Sequence, residues 1–301
     1  MSPPLITIIT PSFNQAQFLA DAIESVAAQD YAPIQHLVFD GASTDGSNTI
    51  LEQYGSRITA VVEADGGQAA AVNRGFRAAK GEILGWLNSD DFYYPGAIRS
   101  VVDYMDQHPE CAVVYGSALY VDESGAPIEP YPTGDPEDLR FGCFLCQPAV
   151  FFRQRAIEAS GLLDPSLRYC MDYDLWLRMA ESFRFHRIPN RLAAYRLHGA
   201  SKSVAEQLEA RREVVRVTRR RLGATPLTCL HGYANFLVRR WAGLPLDDRA
   251  AMGLPPQVAA WALTALLALR YHPIPNGDDL RMIVRRAARG RPLAPGDFHP
   301  R

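Results

Sequence analysis

The stretch Glu82-Ile83-Leu84-Gly85-Trp86-Leu87-Asn88-Ser89-Asp90-Asp91 decides the fold of this chain. An apolar run of strand length stops on a cluster of polar groups, and so short a run bounded by turn formers reads as a strand. The same punctuation occurs three times upstream. Leu5 to Thr10 gives way to Pro11-Ser12-Phe13-Asn14, and Ile34 to Phe39 gives way to the segment from Asp40 to Asp45. Ile58 to Glu63 runs into Asp65-Gly66-Gly67. Between these strands lie helical patterns. Leu19, Ile23, Val26 and Ala27 fall on one helical face; Ser47 to Tyr54 and Gln68 to Ala79 read as helices. Downstream, Ile98, Val101, Val102 and Met105 mark another helix, and Cys111 to Tyr115 a fifth strand.

Strand and helix in alternation predict an α/β domain with a mostly parallel sheet and helices on both faces. Ligands of such sheets bind outside the carboxyl ends of the strands. All four polar clusters sit there, so position alone makes that edge the candidate site.

Beyond residue 115 the order is less regular. Leu119 to Val121 and Ala149 to Phe152 read as strands, Asp172 to Glu181 as a helix, and Arg184 to Ile188 and Leu192 to Leu197 as strands. From Val204 the pattern is helical, over about 204–222, 226–242, 256–271 and 278–289, with prolines between. A boundary near 203 separates an α/β domain, 1–203, from a C-terminal helical region, 204–301.

The whole chain has 301 residues, 48% hydrophobic and 21% charged, with a formal net charge of −2. That suffices for one large core. It does not mark a nucleic-acid binder or a disordered chain. Charge is unevenly spread: residues 204–301 carry 16 Arg against 8 acids, a net +8, and the first 203 residues carry −10. The basic region either meets something anionic, such as a membrane surface, or pairs with the acidic body or with a second copy in a homodimer. Cys143 and Cys146 form a CxxC, but no second pair completes a zinc site, and the five cysteines read as buried apolar residues of a reduced, cytoplasmic protein. Met1-Ser2-Pro3-Pro4 lacks the basic start of a signal peptide. Val258 to Leu269 is about half of what a helix needs to cross a bilayer. The expectation is a soluble or peripheral protein.

Several groups carry candidate chemistry. Asp90 and Asp91 follow a strand end and suit a hard divalent cation, Mg²⁺ or Mn²⁺, which takes few carboxylates plus phosphate oxygens and water. They equally suit a helix N-terminus, with Pro95 entering the helix. In Asp172-Tyr173-Asp174-Leu175-Trp176 only one acid can face a cleft, because helical residues two apart point about 200° apart. Asp174 has Arg178 at i+4 as a surface partner. Asp172 is then a candidate general base, or an acid favoured by the helix dipole. His198 ends a strand as a candidate metal ligand or a structural histidine. Asp40 and Asp45 suit ribose hydroxyls or a base N–H, or an ordinary turn. The spacing Gly41-x4-Gly46-Ser47 lacks the P-loop lysine, and there is no Gly-x-Gly-x-x-Gly.

Taken in order, the clusters resemble family 2 glycosyltransferases of the GT-A fold, whose Rossmann-like sheet matches the α/β reading. Six blocks carry the resemblance: Thr10 to Asn14; Gln29-Asp30-Tyr31 with Val38 to Gly46; Asp65 to Gly75; Trp86 to Asp91; Tyr169 to Arg178; and Tyr195-Arg196-Leu197-His198. They span about residues 5–203 and are closest to bacterial enzymes of O-antigen, capsule or exopolysaccharide synthesis. The resemblance implies a nucleotide-sugar donor, UDP first, and a glycan or lipid-linked saccharide acceptor. It places Asp40 at the nucleobase, with Pro11, Ser12 and Asn14 lining its pocket. Asp65 and Arg74 would lie near the nucleotide and diphosphate, and Asn88 and Ser89 on the donor side. Asp90 would hold Mn²⁺ or Mg²⁺, with Asp91 and His198 as further ligands. Asp172 would deprotonate the acceptor, and Gln147-Pro148 would border the acceptor cleft. Two positions depart from the pattern: Asn88 stands where relatives carry an acid, and Met171 where an acid often precedes the base. The implied reaction is an inverting, metal-dependent transfer. A sugar nucleotidyltransferase and a catalytically impaired nucleotide-sugar binder or scaffold are the alternatives.

Overall fold

The structure, a computed structural model, describes residues 3–199, 206–246 and 253–271. The chain divides into two compact units, Met1–Pro136 with Leu145–Leu197, and Glu137–Phe144 with His198–Arg301.

The first unit opens with β1 (Ile6–Ser12), α1 (Ala16–Ala27), β2 (Ile34–Asp40), α2 (Ser47–Tyr54), β3 (Thr59–Val62), α3 (Gln68–Ala78) and β4 (Ile83–Trp86). It continues with β5 (Phe92–Tyr93), α4 (Ala97–Gln107), β6 (Val113–Val121), β7 (Pro127–Pro130), β8 (Val150–Arg153), α5 (Gln154–Ser160), α6 (Met171–Ala180) and β9 (Phe185–Arg196). The strands form one sheet in the order β3-β2-β1-β4-β8-β6-β9-β5, with β7 on β6. β1 to β4 are mutually parallel, as the alternation of strand and helix requires. β8 then enters antiparallel between β4 and β6, and β9 runs parallel to β6. The sheet is therefore parallel where each strand is followed by its own helix and mixed where the chain doubles back.

Side-chain alternation sorts the core into two layers. Ile6 and Ile8 of β1 and Phe151 of β8 pack with Ala22 and Val26 of α1 and with Ile98, Val101, Val102 and Met105 of α4. On the other face, α3 lies so close to β1 that a Cβ on Gly75 would stand 2.3 Å from the Ile9 side chain. Phe152 points to that face, with Phe76 at 5.8 Å and Trp176 of α6 at 5.8 Å between ring centroids.

Some local expectations change. Ala27 is exposed, and Phe18 and Ala22 complete the buried face of α1 instead. The strands expected over 111–115 and 119–121 are parts of one strand, β6, which starts only at Val113, and those over 184–188 and 192–197 are parts of one strand, β9, bounded by Phe185 and Arg196; the register between the two is irregular near Ser117. The short β5, β7 and α5 carry too little periodicity to be read beforehand. The Asp174–Arg178 pair exists at 3.0 Å, but it is not on the surface. Asp174 is wholly buried, and Arg178 also donates to the carbonyls of Ser160, Gly161 and Leu162, anchoring the loop before α6.

In the second unit, α7 (Gln207–Leu222) stops at Gly223, whose φ of +76° ends the helix in the left-handed conformation. Pro226 precedes α8 (Leu227–Trp241), and α9 (Leu254–Tyr271) follows. Val215, Leu230 and Ala268 form one cluster among the three helices; Val238 and Ala260 form a second between α8 and α9. Phe141 joins this unit because its carbonyl accepts the Thr228 hydroxyl and the Cys229 thiol. The chain thus changes unit after Leu197, and residues 137–144 contribute to the second unit from within the first 203. The helix expected over 278–289 lies outside the described residues.

Candidate active site

Six chain segments meet at the carboxyl edge of the parallel strands, and each is held by hydrogen bonds to another. Asp40 ends β2 almost fully buried. Its two carboxylate oxygens accept the backbone N–H and the hydroxyl of Ser43, both at 2.7 Å. Ser43 Oγ in turn accepts the Asn14 N–H at 2.8 Å, and Asn14 Oδ1 accepts the Thr44 N–H at 2.9 Å. The loops after β1 and β2 are thus one polar unit. Asn14 sits at φ 51°, a left-handed conformation that Asn tolerates better than most residues.

Asp45 takes the turn role. It accepts the Ala16 N–H at the start of α1, and the N–H and hydroxyl of Ser47 at the start of α2. Partial burial works to raise its pKa, but these hydrogen bonds outweigh it and hold the carboxyl below the ordinary range.

The third loop joins at Gly41. A Cβ there would stand 3.1 Å from the Phe13 ring and 3.4 Å from the Asp65 carboxylate, so the segments after β1, β2 and β3 converge on one point. Phe13 is 62% exposed. Asp65 Oδ1 accepts the Gly67 N–H at 2.7 Å. Arg74, on α3, pairs with Glu63 at 2.5 Å and lies over the Phe39 ring. Pro11 and Ser12 are buried at the end of β1, beside Asp40 in register. The Ser12 hydroxyl is buried without a hydrogen-bond partner. A buried hydroxyl costs stability unless something accepts or donates to it, so a ligand group is a natural partner.

The loop after β4 is built around Asn88. Its Oδ1 accepts from Gln68 Nε2 at 2.7 Å and from Trp86 Nε1 at 2.9 Å. Its Nδ2 donates to Gln147 Oε1 at 3.0 Å and to Asp91 Oδ2 at 3.3 Å. Gln147 also donates to the Trp86 carbonyl. All the hydrogen-bonding capacity of the amide is engaged. An ionised carboxylate in its place could donate to neither Asp91 nor Gln147. Gln147 and Pro148 are buried in the turn Gln147–Ala149 that leads into β8. Gln147 thus lies against Asn88.

The adjacent acids separate. Asp91 is 2% exposed; its Oδ1 accepts the Arg196 N–H at 3.0 Å, and burial, then Asp90, pushes its carboxyl well above the usual range. Placed so, Asp91 does not present its oxygens as the expected metal ligand; it positions the loop instead. Ser89 is buried beside it, whereas Asp90 is half-buried. Arg196, at the end of β9, donates to the carbonyls of Asp90 and Glu123 and pairs with Asp21 at 2.7 Å. Its guanidinium lies over the Phe18 and Phe92 rings. Among the described residues no three His, Cys, Asp or Glu groups are arranged to cage a metal ion. Any cation here would take Asp90 and complete its shell from diphosphate and water, which is how Mg²⁺ ordinarily binds. His198 is buried and belongs to the second unit.

Asp172 occupies the first turn of α6, half-buried, with one carboxylate oxygen accepting the Tyr173 N–H. Only four residues join α6 to β9, which fixes the end of the helix at the sheet edge opposite the site. A ten-residue helix is about 15 Å long, so Asp172 is carried back toward the loop edge. The Asn73 side chain bonds both backbone groups of Leu163 and steadies the segment before α6.

The sequence model described as Glycosyl transferase family 2 matches residues 7–158. The chain belongs to glycosyltransferase family 2. An uncharacterized glycosyltransferase of Rickettsia typhi is 31% identical over 226 residues, covering 68% of this chain and 69% of that protein. Escherichia coli chondroitin synthase is 28% identical over 243 residues, 76% of this chain and 35% of the synthase. Among solved structures, S. aureus TarS 1–349 in complex with UDP-GlcNAc aligns with a TM-score of 0.58 at 15% identity, over 95% of this chain and 92% of that one. A mannosyltransferase of Pyrobaculum calidifontis in complex with GDP-Man and Mn²⁺ aligns with a TM-score of 0.54 at 18% identity, over 95% and 80%. The fold is GT-A, the activity class is glycosyl transfer, and the nucleotidyltransferase reading falls. The structure also brings Phe13, Gln68 and Arg196 to this edge; the sequence did not single them out, and their only signal was membership of the same blocks.

Proposed function

We propose that this chain transfers a sugar from a nucleoside diphosphate donor, UDP first, to a hydroxyl of a lipid-linked glycan in cell-envelope polysaccharide synthesis, with inversion at the anomeric carbon. The observation that carries the reading is the convergence of Ser12, Phe13, Gly41 and Asp65 at one edge, with the Ser12 hydroxyl buried and unpartnered.

Ser12 and Asn14 bind the nucleoside, and the Asp40 carboxylate, already held by Ser43, accepts a base N–H at its rim. The exposed Phe13 ring offers a face for stacking. Arg74 and Asp65 flank the diphosphate. Asp90 would hold Mn²⁺ or Mg²⁺, which when bound offsets the charge growing on the departing diphosphate. The acceptor oxygen bonds to the anomeric carbon from the face opposite the diphosphate. Asp172 takes the hydroxyl proton as the carbon–oxygen bond to phosphate breaks, and the bonding pair leaves with the diphosphate.

Asp172→Asn tests this. kcat is expected to fall on the order of 10² or more while donor affinity holds; near-normal turnover would overturn the assignment. A nucleotide-sugar panel assayed with Mn²⁺ and with Mg²⁺ identifies the donor, and undiminished turnover in a chelator removes the metal from the proposal.

A further inference from the structure

The outer face of α9 has no partner among the described residues of its unit. From Leu254 to Leu269 the helix holds no charged side chain. Its inner face packs on α8: Ala260, Thr264 and Ala268 are buried, Thr264 bonds His231, and Trp261 stacks on the His231 ring at 4.0 Å. The other side is equally apolar: Leu254, Val258, Leu266 and Leu269 are 73%, 59%, 65% and 78% exposed, and Trp261, at the border of the two faces, leaves 43% of its surface open. At about 100° per residue they fall in one stripe. A helix apolar all round is ordinarily covered on every side.

Cations flank the stripe. At one end Arg270 and Arg219 lie over the Tyr271 ring, and both are exposed. At the other, the end of α8 turns against α9 through Leu244, presenting Arg240 and a Trp241 that is 87% exposed. Neither α8 nor α9 contains an acidic residue. The sequence beyond Tyr271 adds six arginines against three aspartates.

We infer that α9 is the docking face of this chain on an anionic lipid surface. The stripe enters the boundary between headgroups and acyl chains, the tryptophans sit at the interface, and the arginines reach lipid phosphates. Charge decides against a second copy as the occupant. In either antiparallel or parallel pairing, two such faces would bring cationic ends together with no carboxylate on α8 or α9 to offset them. Spanning is not at issue, since no described helix is long and apolar enough to cross a membrane. The inference stands apart from the transfer reaction.

The test is co-sedimentation of the full chain with vesicles of phosphatidylcholine alone and of phosphatidylcholine mixed with phosphatidylglycerol. The wild type is expected to bind the anionic vesicles, less so at high salt. Leu266→Glu with Leu269→Glu is expected to cut partitioning on the order of tenfold or more. Arg240→Gln with Arg270→Gln is expected to cut it about fivefold per arginine, on anionic vesicles only. All these positions are exposed, so melting temperature and donor turnover should hold, and Val258→Glu gives an independent reading toward the other end of the stripe. Failure of the wild type to bind overturns the inference. So does binding that ignores the leucine changes, which would assign it to the arginines after Tyr271. A dimer in sedimentation velocity that the leucine changes split, without lipid binding, makes a second copy the occupant.

Discussion

The two halves of the loop edge are held together in different ways. On the side of β1, β2 and β3 the polar residues satisfy one another across adjacent loops. Asp40, Ser43 and Asn14 form one chain of bonds, and Asp45 starts two helices at once. On the side of β4, β8 and β9 the partners are far apart in sequence. Asn88 needs Gln147, Asp91 needs the Arg196 backbone, and Arg196 needs Asp21, 175 residues away. The first half is a set of turns that any such strand order would bring close. The second exists only once the mixed part of the sheet has formed. Damage to the second half should therefore spread, and damage to the first should stay local.

Arg196→Met is the widest test of that difference. The guanidinium is buried and serves two carbonyls, while its partner Asp21 is 59% exposed and adds little, so removing the guanidinium should cost about 3 kcal/mol, mainly from the carbonyls left without their charged donor, read by denaturant unfolding. A loss near the value for an exposed ion pair would make the two halves alike.

His36 tests the parallel side. It is buried on β2 beside Thr10 Oγ1 at 2.9 Å, and burial pushes its pKa down to about 4. The unfolded chain takes the proton first, near pH 6.5. The stability His36 contributes is therefore complete above about pH 6.5 and is lost as pH falls toward about 4, in total about 3 kcal/mol. Melts across that window should show a steeper fall for the wild type than for His36→Gln; matching slopes would place the histidine in solvent.

Asn88→Asp sharpens the comparison at its hinge. It removes the donor to Asp91 and sets a second carboxylate beside it, which should cost about 1–2 kcal/mol, or about 2–4 °C of melting temperature per kcal/mol. An unchanged melt would mean the amide bonds are dispensable. The smallest effect belongs to the local half: Asp45→Ala should cost about 1 kcal/mol as a lost helix start, with no change in the Arg196 network as seen in amide exchange.

Much of the first half was legible in advance because its signals are short-range. β-branched runs ending in Asp and Gly, and helices with one apolar face, report strand order and the edge where ligands bind. Asp45 as a turn residue and Asp172 in a first helical turn follow from the same local grammar. The rest was not legible, for a physical reason. Whether Asp91 faces solvent or the Arg196 backbone depends on where β9 lands, and no spacing around Asp91 encodes that. The Asp174–Arg178 pair reads identically on a surface and in a core; only packing beneath Ser160 to Leu162 buries it.

By itself the sequence determined the α/β order, the family and the edge that carries the chemistry, because these follow from periodicity and from residue types that must recur at strand ends. Only the tertiary structure decided which acids point outward, which groups the Asn88 amide ties together, and which side of α9 is uncovered. Each of those depends on which distant groups a side chain meets, and that is settled when the sheet and the helices close.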